Sequence, residues 1–150
     1  MRNRGFTFIE VLVAISIMAV IAAFGIPRIR DAVQKQNVRS ARVASQTLVA
    51  KARAAAVARG CRATLHLASD GTMWVTSCRN AVNASPTALD TLGAVDHMGS
   101  RFNVTVTPSR DSVAFDTRGL NAEFTRIVVR FQSNSLTDSL VINEVGKVVH

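Results

Sequence analysis

Apolar residues dominate the start of the chain and then thin into two successive periodic patterns. Met1-Arg2-Asn3-Arg4-Gly5 is short and cationic, and Phe6 to Ile26 then carries a single charge, Glu10. A run of that length crosses a bilayer as a helix, the only spanning state that satisfies its own backbone without closing a barrel. From Arg28 to Arg59 there is neither Gly nor Pro, and Val38, Ala41, Ser45, Leu48, Ala52 and Ala55 recur at steps of three and four. That spacing places them on one stripe of a helix, and their small size suits close packing on a sheet. Gly60 is the expected stop.

Beyond Gly60 the period shortens to alternation. Cys61 to Leu67 and Thr72 to Cys78 read as strands around a Ser69-Asp70-Gly71 turn. Residues 80–101, with Pro86 among them, have no clear period and read as a long surface loop. Further strands are expected over Phe102 to Thr107, Ser112 to Phe115, Arg126 to Gln132, Ser139 to Asn143 and Lys147 to His150, with turns at Asp116-Thr117-Arg118-Gly119 and Glu144-Val145-Gly146. The expected fold is therefore α+β. A long N-terminal helix, transmembrane in its first half, packs by its second half on an antiparallel β domain. The segments divide as a leader over 1–5, a membrane helix over 6–27, a basic amphipathic helix over 28–60 and the β domain over 61–150.

Gly25 and Pro27 close the apolar run. Proline deletes one helical hydrogen bond and crowds the preceding turn, and glycine loosens the backbone. A local bend is expected there in preference to a plain boundary, because helical periodicity resumes at once. Arg2 and Arg4 before the run place the N-terminus in the cytoplasm and the remainder outside. An ordinary cleaved secretory signal is the rival, with Val20-Ile21-Ala22 as a passable cleavage site and a chain beginning at Ala23 as its product. Glu10 opposes that rival, since a carboxylate within hydrocarbon is costly and tends to be functional.

Charge sharpens the picture. The chain of 150 residues carries 18 Lys and Arg against 10 Asp and Glu, a net +8. Almost all of the excess lies between Arg28 and Arg62. Lys35, Arg39, Arg42, Gln46 and Arg53 make a second, cationic helical stripe. It suits phosphates of DNA in a sequence-independent mode, acidic neighbours, anionic lipid heads, or plain solvent. The apolar content of 48% excludes disorder driven by high charge and low hydrophobicity. With no Tyr and 1 Trp, a base-stacking platform is excluded too.

Two cysteines cannot make a zinc site or a disulfide scaffold, but they can form one bridge. A four-residue loop over Ala68 to Gly71 sets Cys61 opposite Cys78. A two-residue Asp70-Gly71 turn shifts the register by two and keeps both on one face. The alternative is two free thiols. His66, His97 and His150 are scattered without metal spacing, and no Ser-His-Asp set or phosphate-cradling glycine loop is present. The reading is a non-enzymatic protein with no cofactor, no metal and no small-molecule substrate; a signal-anchored periplasmic enzyme is the least favoured alternative.

Gly5-Phe6-Thr7-Phe8-Ile9-Glu10 followed by an apolar run resembles the processing site of type IV pilins and type II secretion pseudopilins. The resemblance implies cleavage by a prepilin peptidase between Gly5 and Phe6, N-methylation of Phe6, and a role for Glu10 at the fifth mature position. There its carboxylate would meet the terminal amine of a neighbouring subunit. Pro27 falls where many family members carry a helix-distorting proline. Phe115-Asp116-Thr117-Arg118-Gly119, the Ile127-Val128-Val129 strand, Leu140-Val141-Ile142-Asn143 and Gly146-Lys147-Val148-Val149 are similar to the GspH/FimT subgroup, whose members are minor pseudopilins or minor pilins. Some of these bind DNA through an Arg-containing motif after the final glycine, where this chain has only Lys147. The resemblance implies a subunit held in the inner membrane and later built into a filament with other pilins. A DNA-binding minor pilin is the alternative, with Lys35, Arg39, Arg42, Arg53 and Lys147 as candidate contacts.

Overall fold

The computed structural model describes residues 7–79 and 89–149. The expected cleavage point at Gly5 and Phe6, Pro86 with the first part of the expected loop, and His150 lie outside them. The chain forms two compact units, Met1–Gln34 and Lys35–His150, and helix α1 (Phe8–Arg59) contributes to both.

In the first unit α1 continues through Gly25 and Pro27, so neither residue ends it. Pro27 has no N–H to give to the carbonyl of Ala23, and the helix carries that missing bond internally. The large apolar side chains from Phe8 to Ile26 are exposed, Phe8 at 81% and Phe24 at 71%. This part of α1 is apolar and long enough to cross a membrane.

In the second unit α1 buries Val38, Ala41, Ser45, Leu48, Val49, Ala52 and Ala56. The expected stripe is thus correct except that Val49 joins it and Ala56, not Ala55, closes it; Ala55 is half-buried. Gly60 ends the helix in the left-handed conformation at φ 62°. Its N–H donates to Val57 and the N–H of Cys61 to Ala56, so the last carbonyls are satisfied by a Schellman closure.

Two antiparallel sheets follow. The first is ordered β3-β2-β1-β6, from β1 (Ala63–Leu67), β2 (Thr72–Cys78), β3 (Leu89–Thr91) and β6 (Ser112–Phe115), with β4 (Asp96–His97) also on β2. The second is β5-β7-β8-β9, from β5 (Thr105–Pro108), β7 (Ile127–Ser133), β8 (Leu136–Ile142) and β9 (Val148–Val149). Alternation explains the faces. Leu65, Leu67, Met73, Val75 and Val113 of the first sheet and Ile127, Val129, Phe131, Leu140 and Ile142 of the second join the buried α1 residues in one core. At about 25 cal/mol per Å² of apolar surface removed from water, this shared core is the main stabilising term of the unit.

Several expected boundaries move. Residues 89–91 and 96–102 are not loop: they hold β3, β4 and helix α2 (Met98–Phe102), whose Met98 is fully buried. Short elements without period escape a periodicity argument. The strand expected from Phe102 begins only at Thr105, because Phe102 closes α2 and Asn103 caps it in the left-handed conformation at φ 50°. The strand expected from Ser139 begins at Leu136, since a tight turn at Asn134 pairs Ser133 with Leu136. The β1–β2 turn packs against α2 so closely that a Cβ on Gly99 would stand 2.7 Å from the Asp70 carbonyl oxygen.

Candidate assembly interface

At the start of α1 the N–H of Glu10 donates to Thr7 Oγ1 at 3.3 Å, and the N–H of Thr7 donates to Glu10 Oε2 at 3.5 Å. This is a reciprocal capping box, which satisfies donors that a helix start leaves without partners. Thr7 is therefore a capping residue that the sequence reading missed, although its signal, Thr-x-x-Glu before an apolar run, is plain. Glu10 is exposed on an otherwise apolar surface that includes Ile9, Val11 and Val13.

The cationic stripe of α1 is less free than its spacing suggests. Arg42 Nε pairs with Asp138 on β8 at 3.2 Å, and Arg53 Nε donates to the carbonyl of Gly119 at 2.9 Å. Lys35 and Arg39 are exposed. Lys147 is exposed as well, in a turn where its N–H donates to Asn143 Oδ1 at 2.7 Å. The stripe thus divides. Two of its arginines fasten α1 to the β domain, and two cations face solvent. Arg59 at the helix end donates to the carbonyl of Cys78 at 2.7 Å.

Cys61 and Cys78 are joined, with Cα atoms 6.3 Å apart. The route differs from both expected registers. Leu67 pairs with Met73 and Ala63 with Ser77, so the turn lies between the two alternatives and Cys61 has no place in β1. Cys61 instead sits between α1 and β1, where it is not bound to alternate across the sheet. It reaches Cys78 at the end of β2 from there.

His66 stacks on Trp74 at 4.8 Å between ring centroids, and its Nε2 is 2.8 Å from Thr76 Oγ1. Partial burial holds the imidazole below its ordinary pKa. His97 meets Thr72 instead, with Nδ1 at 3.0 Å from Oγ1. Asp116 accepts the N–H of Leu120, which with Arg118 keeps its carboxyl below the usual range. Among the described residues no three His, Cys, Asp or Glu side chains form a group able to hold a metal.

An apolar helix with one capped carboxylate, followed by a disulfide-tied helix-and-sheet unit, defines the pilin class of subunit. The comparisons give the particular family. The prokaryotic N-terminal methylation motif matches residues 1–26, and the type II transport protein GspH family matches residues 44–146. The chain belongs to the GspH family. It is a GspH/FimT-like minor pilin or pseudopilin. No curated protein matches it. Two crystal structures of the type IV minor pilin FimU from Pseudomonas aeruginosa share the fold, in space groups P21 and P65. The first has a TM-score of 0.54 at 14% identity, over 77% of this chain and 88% of the other. The second has a TM-score of 0.51 at 14% identity, over 74% and 90% respectively. The apolar helix and the methylation motif fit a protein anchored in the inner membrane.

Proposed function

We propose that this chain is a structural minor subunit of a type II secretion pseudopilus or a type IV pilus, acting in protein secretion or pilus assembly. It enters the inner membrane with its N-terminus cytoplasmic and its β domain periplasmic. A prepilin peptidase cuts between Gly5 and Phe6, and Phe6 is methylated. The observation that carries this reading is the joining of the methylation motif to a GspH domain within one chain.

In this reading Glu10 has two partners in sequence. In the lone subunit its carboxylate caps Thr7. In the filament it meets the new amine of a neighbour's Phe6, and that ion pair replaces a weak exposed cap. A carboxylate left alone in hydrocarbon costs several kcal/mol, so pairing favours docking and fixes the axial register. The missing Pro27 bond loosens the helix where it leaves the membrane. Helix transfer from lipid to filament core exchanges one apolar environment for another.

The test is Glu10→Ala. The variant is expected to be cleaved and to reach the membrane as the parent does, but to fall by about tenfold in filament fractions, the loss of a single buried charge pair. Incorporation at the parent level would remove the pairing role. DNA capture, the alternative, has fewer cations to draw on than the stripe implies, because Arg42 and Arg53 are engaged within the fold. It rests on Lys35, Arg39 and Lys147. Duplex binding by the full chain with a salt slope that falls in Lys147→Ala would support it, and no binding at low salt would end it.

A further inference from the structure

A cleft of about 580 Å³ lies in the second unit, where the end of β1 and the β1–β2 turn come up to β5. Small-molecule sites are built at volumes of about 300–1,000 Å³. Alternation explains its aromatic wall. His66 and Trp74 are cross-strand partners on the face of the first sheet turned away from the core, since their neighbours Leu65, Leu67, Met73 and Val75 fill the core. The two rings stack at 4.8 Å with 8° between their planes, and Thr76 Oγ1 holds the imidazole at Nε2. The pair makes a flat surface that two strands fix in place.

The other groups in the cleft are polar. Ser69, Thr105, Thr107 and Asp111 line it and are exposed. Backbone bonds set their positions: the Asp111 carbonyl accepts the Leu67 N–H at 2.7 Å, and β5 is paired with β7. Among the described residues, these four side chains and the indole N–H of Trp74 have no hydrogen-bond partner within the protein. The set offers one indole donor, one carboxylate acceptor and three hydroxyls that donate and accept. No Lys or Arg lines the cleft. Arg110, next in sequence to Asp111, is paired with Glu123 at 2.9 Å, and burial keeps His66 below its ordinary pKa.

These features separate the classes of ligand. A phosphate finds no cation and meets Asp111. An ammonium group, a donor only, leaves the indole N–H unmatched. An aliphatic chain leaves the hydroxyls and the carboxylate without partners. An added peptide strand finds a poor template in β5, which is four residues long and closes with Pro108, a residue without an N–H. A pyranose ring meets every requirement. Its C–H face packs on an aromatic plane, and the hydroxyls around its edge both donate and accept.

We propose that this cleft binds a neutral saccharide, with Trp74 as the stacking platform and Asp111, Thr107, Thr105 and Ser69 as partners of the sugar hydroxyls. The inference goes beyond the filament reading and does not rest on it. For an exported subunit, the ligand is a glycan met outside the cytoplasm.

Trp74 is the only Trp of the chain, so its fluorescence reports this cleft alone. The test titrates the full chain in a detergent without a sugar head group. Chitotetraose or maltotetraose is expected to give a saturable change in emission, and tetra-alanine, tetra-lysine and inorganic phosphate none at equal concentrations. Asp111→Ala alters an exposed side chain that holds nothing in the fold, and it is expected to weaken the sugar response about tenfold, the loss of one charge-assisted hydrogen bond. Thr107→Val, which keeps the shape and removes the hydroxyl, is expected to act in the same direction. No change with either tetrasaccharide, an equal change with a peptide or with phosphate, or full binding by both variants would each overturn the site. Incorporation into filaments bears on none of these results, so they judge the cleft apart from the filament reading.

Discussion

Asn121 and Phe124 set out in a few atoms how this surface is built. Asn121 is sealed in the core by two hydrogen bonds, and the backbone it holds pushes an aromatic ring into solvent. Asn121→Ala strands the Thr125 carbonyl and the Glu123 N–H, so a loss of about 1–3 kcal/mol is expected in denaturant melts. A second residue-scale prediction concerns His66. Its pKa is lowered in the fold by burial, so the unfolded chain binds the proton more readily. Stability is therefore expected to decline as pH falls through about 6.5, the ordinary imidazole value, and His66→Gln should flatten that part of a melting-temperature profile. An unchanged profile in the variant would show that His66 does not contribute. At this scale the bridge between the two cysteines was legible, because only one pairing of two cysteines exists. The binding of Arg42 and Arg53 was not, since Asp138 and Gly119 are remote in sequence and no spacing along a helix reveals them.

Among elements, α1 was the most readable. Its two periodic regimes and the Gly60 stop are written in steps of three and four, and the structure changes the buried stripe only by adding Val49 and putting Ala56 in place of Ala55. Strands with strict alternation, such as β1 and β7, were found for the same reason. The stretch holding β3, β4 and α2 was unreadable because elements of two to five residues complete no period. The β1–β2 register shows the limit most clearly. Both expected registers rested on an even shift, whereas the actual three-residue turn places Leu67 against Met73. The bridge between Cys61 and Cys78 forms nonetheless, because Cys61 lies outside the strand. It closes a loop of sequence separation 17 between the end of α1 and the end of β2. Chain entropy of a loop that size corresponds to about 3 kcal/mol. Cys61→Ser with Cys78→Ser is thus expected to lower the unfolding free energy by roughly that amount, and an unaltered midpoint would deny the bridge a stabilising role.

For the whole molecule the organising fact is a division of labour between two units. The first carries an apolar stretch, Phe8 to Ile26, whose large side chains are exposed, a surface that water does not tolerate and that lipid or other helices must cover. The second has its own core, its own covalent tie and a surface of mixed charge. GspH membership and the methylation motif place these units in the minor pilin class. The account then makes one chain serve first as a membrane anchor and afterwards as part of a polymer, with Phe6 as the N-terminus that the proposed cleavage creates. The most direct test is the N-terminal peptide of filament-associated material, read by mass spectrometry. The account predicts a chain beginning at Phe6 and carrying one methyl group on its amine. A filament-associated chain that retains Met1 through Gly5, or a soluble chain that begins at Ala23, would contradict it.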